Sequence, residues 1–210
     1  MRLIPSGVVR VLAVLGLGVA VPVFSAAQDV DLEGIGYALG SPDAAVTVVE
    51  LGDFGCWACS LFHEHTWPAI HAEFIETGRV HWRHVPFLFG MRNGDDGANA
   101  AECAADQGKY WEMHDLLYTR HEEFTKPRNP KNLVQEYPRE LGLDADAFKT
   151  CYEDEHGKDR TRRATDAADE LEVSGTPTFF INGTRALGAL TVEVFRALLE
   201  EAERQAGQGG

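Results

Sequence analysis

The sequence predicts an α/β fold whose elements run β-α-β, then a helical insertion, then β-β-α. Three observations predict it. The run "AAVTVVELGDF" (44–54) is apolar and β-branched with almost no alternation, as in a strand buried on both faces. A second strand-like run, "RVHWRHVPFLF" (79–89), follows a helical stretch, which makes a βαβ unit with a right-handed crossover. Near the other end, "GTPTFFING" (175–183) joins a strand to an Asn182-Gly183 turn, a hairpin signal.

The first 27 residues read as a separate object. Arg2 and Arg10 are their only charges, and Val11 to Ala27 is largely apolar. Ser25 and Ala27 place small residues at the spacing an export peptidase needs, so the segment reads as a secretory signal cleaved after Ala27. An uncleaved anchor is the rival, but the stretch falls short of the ~20 residues of a spanning helix and Pro22 interrupts it. Gln28 to Asp43 is a polar, Gly-containing lead-in. From Trp57 the pattern turns helical through "SLFHEHTWPAIHAEFIETG" (60–78). Leu61, Phe62, His65, Ile70, Phe74 and Ile75 form a partly apolar face, Pro68 kinks it, and Gly78 stops it.

The helical section continues in "ANAAECAADQG" (98–108), "KYWEMHDLLYTRHEEF" (109–124), "DADAFKTCYEDEHG" (144–157) and "DRTRRATDAADELEV" (159–173), with a basic, proline-containing loop at 127–130. After the Asn182-Gly183 turn, "TRALGAL" (184–190) supplies a short partner strand. Thr191 caps a terminal helix through about Gln205, leaving 206–210 as a disordered tail. One domain is therefore expected over 44–205, with its helical insertion at about 92–158.

Composition narrows the function. A net charge of −14 argues against nucleic acid or an anionic membrane surface as partner. The four cysteines, Cys56, Cys59, Cys103 and Cys151, form an even set, and export places them where thiols tend to pair. Cys56 sits just past a strand end and Cys59 in the first turn of the next helix. A thiolate there receives unpaired backbone N–H groups and the positive end of the helix dipole, which lowers its pKa. Cys56 is thus expected to be the exposed, attacking sulfur and Cys59 the inward, resolving one. A structural zinc site would want a second pair of ligands, and no second CxxC exists. An inert local disulfide closes too small a loop to stabilise much. Redox exchange fits best.

The remaining candidates are less sharply defined by their own surroundings. Glu50, six residues before Cys56, is either a costly buried carboxylate with a raised pKa or a strand-end residue facing water. His63 and His65 point apart on their helix and His81 and His84 stand at odd strand spacing, so the histidines read as solvated or packing residues, with no metal site. Trp67, Trp82 and Trp111 read as core aromatics.

Three segments, "VTVVELGDFGCWAC", "NAAECAADQGKYWEMHDLLY" and "VSGTPTFFING", make the chain resemble the DsbA-like branch of the thioredoxin-fold thiol–disulfide oxidoreductases, over nearly the whole of 45–205. The resemblance implies a thioredoxin-like fold and a redox-active Cys56–Cys59 disulfide exchanged with cysteines of secreted proteins. It implies that Glu50 takes up the Cys59 proton, that Pro177 is cis and faces the CxxC box, and that Thr176 offers its backbone to substrate. Trp57, inside the box, is expected to touch substrate. Because some exported relatives carry a second disulfide in this region, Cys103–Cys151 is expected as a structural bridge, with free thiols or a second relay as alternatives.

No metal or organic cofactor is implied. The expected setting is periplasmic or otherwise extracytoplasmic, with membrane contact only through the signal or an anchor. The expected protein is a monomer, reoxidised by a membrane quinone-linked partner. Trp-Ala stands between the cysteines where the familiar oxidant has Pro-His, so a reductase or isomerase is the runner-up. A non-catalytic chaperone or copper-binding module is the reading from another class.

Overall fold

A computed structural model describes residues 34–169 and 171–208. The export segment 1–27 and the start of the lead-in, 28–33, lie outside the described residues. Five strands form one mixed sheet in the order β1-β3-β2-β4-β5. They are β1 (Tyr37–Leu39), β2 (Val46–Gly52), β3 (Val80–Pro86), β4 (Thr178–Ile181) and β5 (Thr184–Leu187). β2 and β3 are parallel, and the other pairings are antiparallel.

β1 corrects the sequence reading, which left 28–43 without structure. Three residues are too few for a periodicity signal, and the flanking glycines resemble a loop. Those glycines are needed because the backbones touch: a Cβ on Gly36 would lie 2.4 Å from the His84 carbonyl oxygen, and one on Gly40 2.3 Å from that of Val80. The Trp111 indole N–H donates to the Ala38 carbonyl, so this edge strand is already partly engaged.

The expected long helix after Cys56 is three pieces. α1 (Trp57–His65) ends at Thr66, and α2 (Trp67–Ile70) carries Pro68 in its first turn, where a missing N–H costs nothing. A π-helical turn over His71–Ile75 follows. The Thr66 hydroxyl donates to the Leu190 carbonyl at 2.7 Å, tying this break to the loop after β5. Between β3 and β4 run α3 (Gly94–Ala105), α4 (Tyr110–Thr119), α5 (His121–Thr125), α6 (Lys131–Val134), α7 (Tyr137–Glu140), α8 (Ala145–Glu153) and α9 (His156–Asp169). Asp144 caps α8 by accepting from the Asp146 and Ala147 amides. A disulfide joins Cys103 on α3 to Cys151 on α8. α10 (Val192–Gln208) runs on to Gln208, so 206–208 are helical rather than the disordered tail expected.

Strand periodicity decides which face each side chain joins. Val46, Val48, Val80, Trp82, Phe179 and Ile181 pack on one face against Phe62, Ile70, Phe74, Phe195 and Leu199. Val49, Leu51, Val85, Phe87 and Phe180 pack on the other against Ala164 and Ala168 of α9. A third core lies inside the helical section, around Phe54, Ala100, Ala101, Met113, Leu117, Phe124, Tyr137 and Phe148. Cys56 and Cys59 join that third core, at the boundary between helices and sheet.

Candidate functional site

The loop from β2 into α1 is held by a buried carboxylate that the sequence reading missed. Asp53 accepts backbone N–H bonds from Gly55 (2.8 Å), Phe89 (2.9 Å) and Met91 (3.4 Å), and its carbonyl accepts from the Cys56 amide (2.9 Å). Burial still pushes its pKa up, against those three donors. A Cβ on Gly55 would lie 2.4 Å from the Arg92 carbonyl oxygen, so glycine is required where this loop crosses the one after β3. The signal in the sequence was the Asp-Phe-Gly triplet, an Asx turn just before the first cysteine.

Cys56 occupies the N-cap of α1, with extended backbone (φ −80°, ψ 119°). It is only 4% exposed, which corrects the expectation of an exposed sulfur. The cover is the turn carrying Thr176 and Pro177, whose peptide bond is cis and whose Thr176 carbonyl lies 3.3 Å from Sγ. Thr178 Oγ1 donates to the Gly175 carbonyl and the Gly188 amide to that of Pro177, fixing this turn to β5. Trp57 is the residue of the box that faces solvent, at 68% exposure.

Both thiols of the box are free, and their environments push them in opposite directions. Cys56 is lowered to about 6, first by the hydrogen bond from the Cys59 thiol; burial opposes this, and Thr176 and the amides of Cys59 and Ala58 assist. The neighbouring thiol thus outranks the helix amides, to which position in the sequence alone assigns the leading role. The Thr176 hydroxyl has no partner of its own, so it is free to donate once Cys56 ionises, whereas the protonated thiol donates to the Thr176 carbonyl. Cys59 is fully buried, and burial pushes its thiol well up, with the charges of Cys56 and Glu50 adding to the effect.

Beneath the box, strand register brings Glu50 opposite His84 on the face under α1. Glu50 is fully buried rather than facing water. Its Oε1 lies 3.0 Å from Nε2 of His63 on α1, and its Oε2 accepts from the Trp82 indole at 3.2 Å. His84 Nδ1 is 2.6 Å from the Tyr110 hydroxyl, and its Nε2 is 3.4 Å from that of Tyr118. His114 on α4 donates from Nδ1 to Asp115 Oδ1 at 2.8 Å. Burial holds the pKa of His84 well down and that of His114 down, so both rings are neutral at neutral pH. Gly52 makes room for this cluster, since a Cβ there would lie 2.6 Å from His84 Nε2 and 2.9 Å from Tyr118 Oη.

Three histidines read one at a time as packing or solvated residues therefore converge on one carboxylate. Spacing within a single helix or strand cannot reveal this, because α1, β3 and α4 each contribute one ring. His63, Trp67, Asp115 and Tyr118 line part of a groove of about 1000 Å³. No helix among the described residues is long and apolar enough to cross a membrane.

A family model described as "Thioredoxin" matches residues 33–201. Over 165 residues the chain is 39% identical to Na(+)/H(+) antiporter NhaA 3 of Salinispora tropica, covering 78% of this chain and 24% of that protein. Thus it spans about a quarter of the antiporter's length. It is 32% identical over 152 residues to the probable disulfide bond formation protein D of Bacillus anthracis, covering 70% of each. Two crystal structures share the fold: alpha-DsbA1 of Wolbachia pipientis (TM-score 0.71, 24% identity, 80% of this chain and 91% of that one) and oxidised BdbD of Bacillus subtilis (TM-score 0.72, 22% identity, 80% and 92%).

Proposed function

The chain belongs to the thioredoxin family whose model spans 33–201, and from that premise we propose that it is a thiol–disulfide oxidoreductase acting on cysteine-containing proteins. One observation carries the reading: two sulfurs in one turn, with Cys56 lowered to about 6 and Cys59 pushed well up. A sulfur of low pKa is both mostly thiolate at pH 7 and a good leaving group. Its neighbour stays protonated until it is needed.

In the oxidising direction, a substrate thiolate attacks Cys56 Sγ and the Cys56–Cys59 bond breaks. The bonding pair leaves on Cys59, which takes a proton from Glu50. The second substrate cysteine, as thiolate, then attacks its partner's sulfur in the mixed disulfide, and Cys56 leaves as a stabilised thiolate. Two electrons pass from substrate to enzyme; of the two substrate protons, one is taken up at Cys59 by way of Glu50 and one goes to solvent. Reoxidation reverses the roles, with Glu50 accepting the Cys59 proton. Trp57, Thr176 and Pro177 form the substrate-facing surface in this scheme, and Cys103–Cys151 is structural.

The setting proposed is extracytoplasmic, with a membrane quinone-linked protein as reoxidant. The oxidising direction is supported by the similarity to the disulfide bond formation protein D. The test is equilibration of the protein with glutathione buffers, together with oxidative refolding of a reduced dithiol protein. An oxidase is expected to refold the substrate stoichiometrically and to stay reduced well into the range where thioredoxin is oxidised. A potential near ~−270 mV would instead assign a reductase. Loss of exchange in Cys56→Ser is expected in either direction, and its survival would remove the redox reading.

A further inference from the structure

We propose that Glu50, His84 and His114 form a buried site for a single divalent cation of the zinc class, which shares Glu50 with the proposed proton path to Cys59 but takes no thiol as ligand. One donor atom from each lies within 4.8 Å of the other two, and all three residues are buried. Two imidazoles and one carboxylate suit zinc and its neighbours in the first transition row. With bonds of about 2.0–2.1 Å, a tetrahedral set stands about 3.4 Å apart, so the donors close by at most about 1.4 Å on an ion.

The shell behind these donors carries the inference. Metal-binding histidines characteristically give their second ring nitrogen to a carboxylate, carbonyl or similar partner, which fixes the ring and the tautomer. Each proposed ligand has such a partner. His114 donates Nδ1–H to Asp115, which leaves the lone pair on Nε2, and that nitrogen is buried with no hydrogen-bond partner. His84 has Nδ1 on the Tyr110 hydroxyl at 2.6 Å, and its Nε2 would exchange a longer contact, 3.4 Å to the Tyr118 hydroxyl, for the ion. Glu50 is held by His63 at one oxygen and Trp82 at the other. A buried imidazole nitrogen normally finds a partner; of those without one, on His63, His81, His114 and His121, the His114 nitrogen belongs to a residue whose donor atom stands within 4.8 Å of two other ligand atoms. A cation supplies one, and the negative charge of Glu50 offsets part of its charge. His63, which bonds Glu50, also lines the groove beside α1, and that groove is the proposed entry path.

Oxidised full-length chain is the material for the test, because with both disulfides formed no thiol can bind metal. Titration with Co²⁺, followed by visible absorption, and with Zn²⁺, followed by calorimetry, is expected to saturate at one equivalent, with Zn²⁺ displacing Co²⁺. Asp115 is exposed and accepts from Nδ1 of His114, so Asp115→Asn is expected to fold normally and to weaken binding by about tenfold. Glu50→Gln is expected to weaken it further. His65→Ala and His156→Ala, both at exposed positions, are expected to leave it unchanged. The proposal is overturned if the wild-type chain takes up no stoichiometric ion, if Asp115→Asn and Glu50→Gln bind as wild type does, or if the surface histidine variants abolish uptake. Thiol exchange is not the readout, so the redox reading stands or falls separately.

Discussion

Cys56 and Cys59 are separated by two residues and by opposite electrostatics. Alkylation of the reduced protein by iodoacetamide is expected to show a single reactive thiol with its midpoint near pH 6, with Cys59 silent; a midpoint at the free-thiol value would remove the basis for an activated sulfur. Linkage gives the sign of the effect on stability. A group whose pKa is depressed on folding stabilises above its unfolded value and loses that contribution as pH falls through the folded value. Reduced wild type should therefore lose stability relative to Cys56→Ser as pH falls from about 9 to about 6, when melting curves are compared across that window. Trp57 behaves differently, since it is largely exposed. Trp57→Ala should change stability by less than about 0.5 kcal/mol while raising KM for a peptide substrate. An unchanged KM would take Trp57 out of the substrate surface.

At the scale of elements, β2 is the organising piece, and its residues were legible because each carries its signal locally. Apolar β-branched residues mark the strand, Cys-Trp-Ala-Cys marks the turn beyond it, and Asn182-Gly183 marks the hairpin that lies beside it. The glycine at its end explains what local signals omit. Gly52 faces His84 and Tyr118, which lie 32 and 66 positions further along, so nothing near it in sequence announces the crowding. Gly52→Ala is expected to destabilise by roughly 1–3 kcal/mol through overpacking in urea unfolding; a neutral result would mean that the His84 and Tyr118 side chains yield. β1 escaped the reading for the opposite reason, being too short to show a period. The histidine cluster escaped because it exists only after three elements have packed.

For the whole molecule, the helical section is a large addition that must stay registered on a small sheet. The Cys103–Cys151 bond closes a span of 48 residues across α3 and α8. In the chain-entropy model such a closure is worth about 4 kcal/mol, so the double alanine variant should melt on the order of 10 °C lower. A shift of only a degree or two would mean that packing, not the cross-link, holds these helices together. Alongside it, Arg160 bonds Glu102 of α3 and Asp106 at its C-cap, and Glu102 accepts from the hydroxyl of Tyr37 in β1. The helical section is therefore tied within itself by a covalent bond and ion pairs, and to the sheet by the Tyr37–Glu102 hydrogen bond.

The two flanks of the sheet are unequal. On one, a three-residue ribbon has its Ala38 carbonyl already claimed by an indole from α4. On the other, β5 is longer, and Leu187 stands half bare near the cis-proline turn. Any foreign backbone that zips onto this protein, whether as client or as the seed of a fibre, is thereby steered to the latter margin.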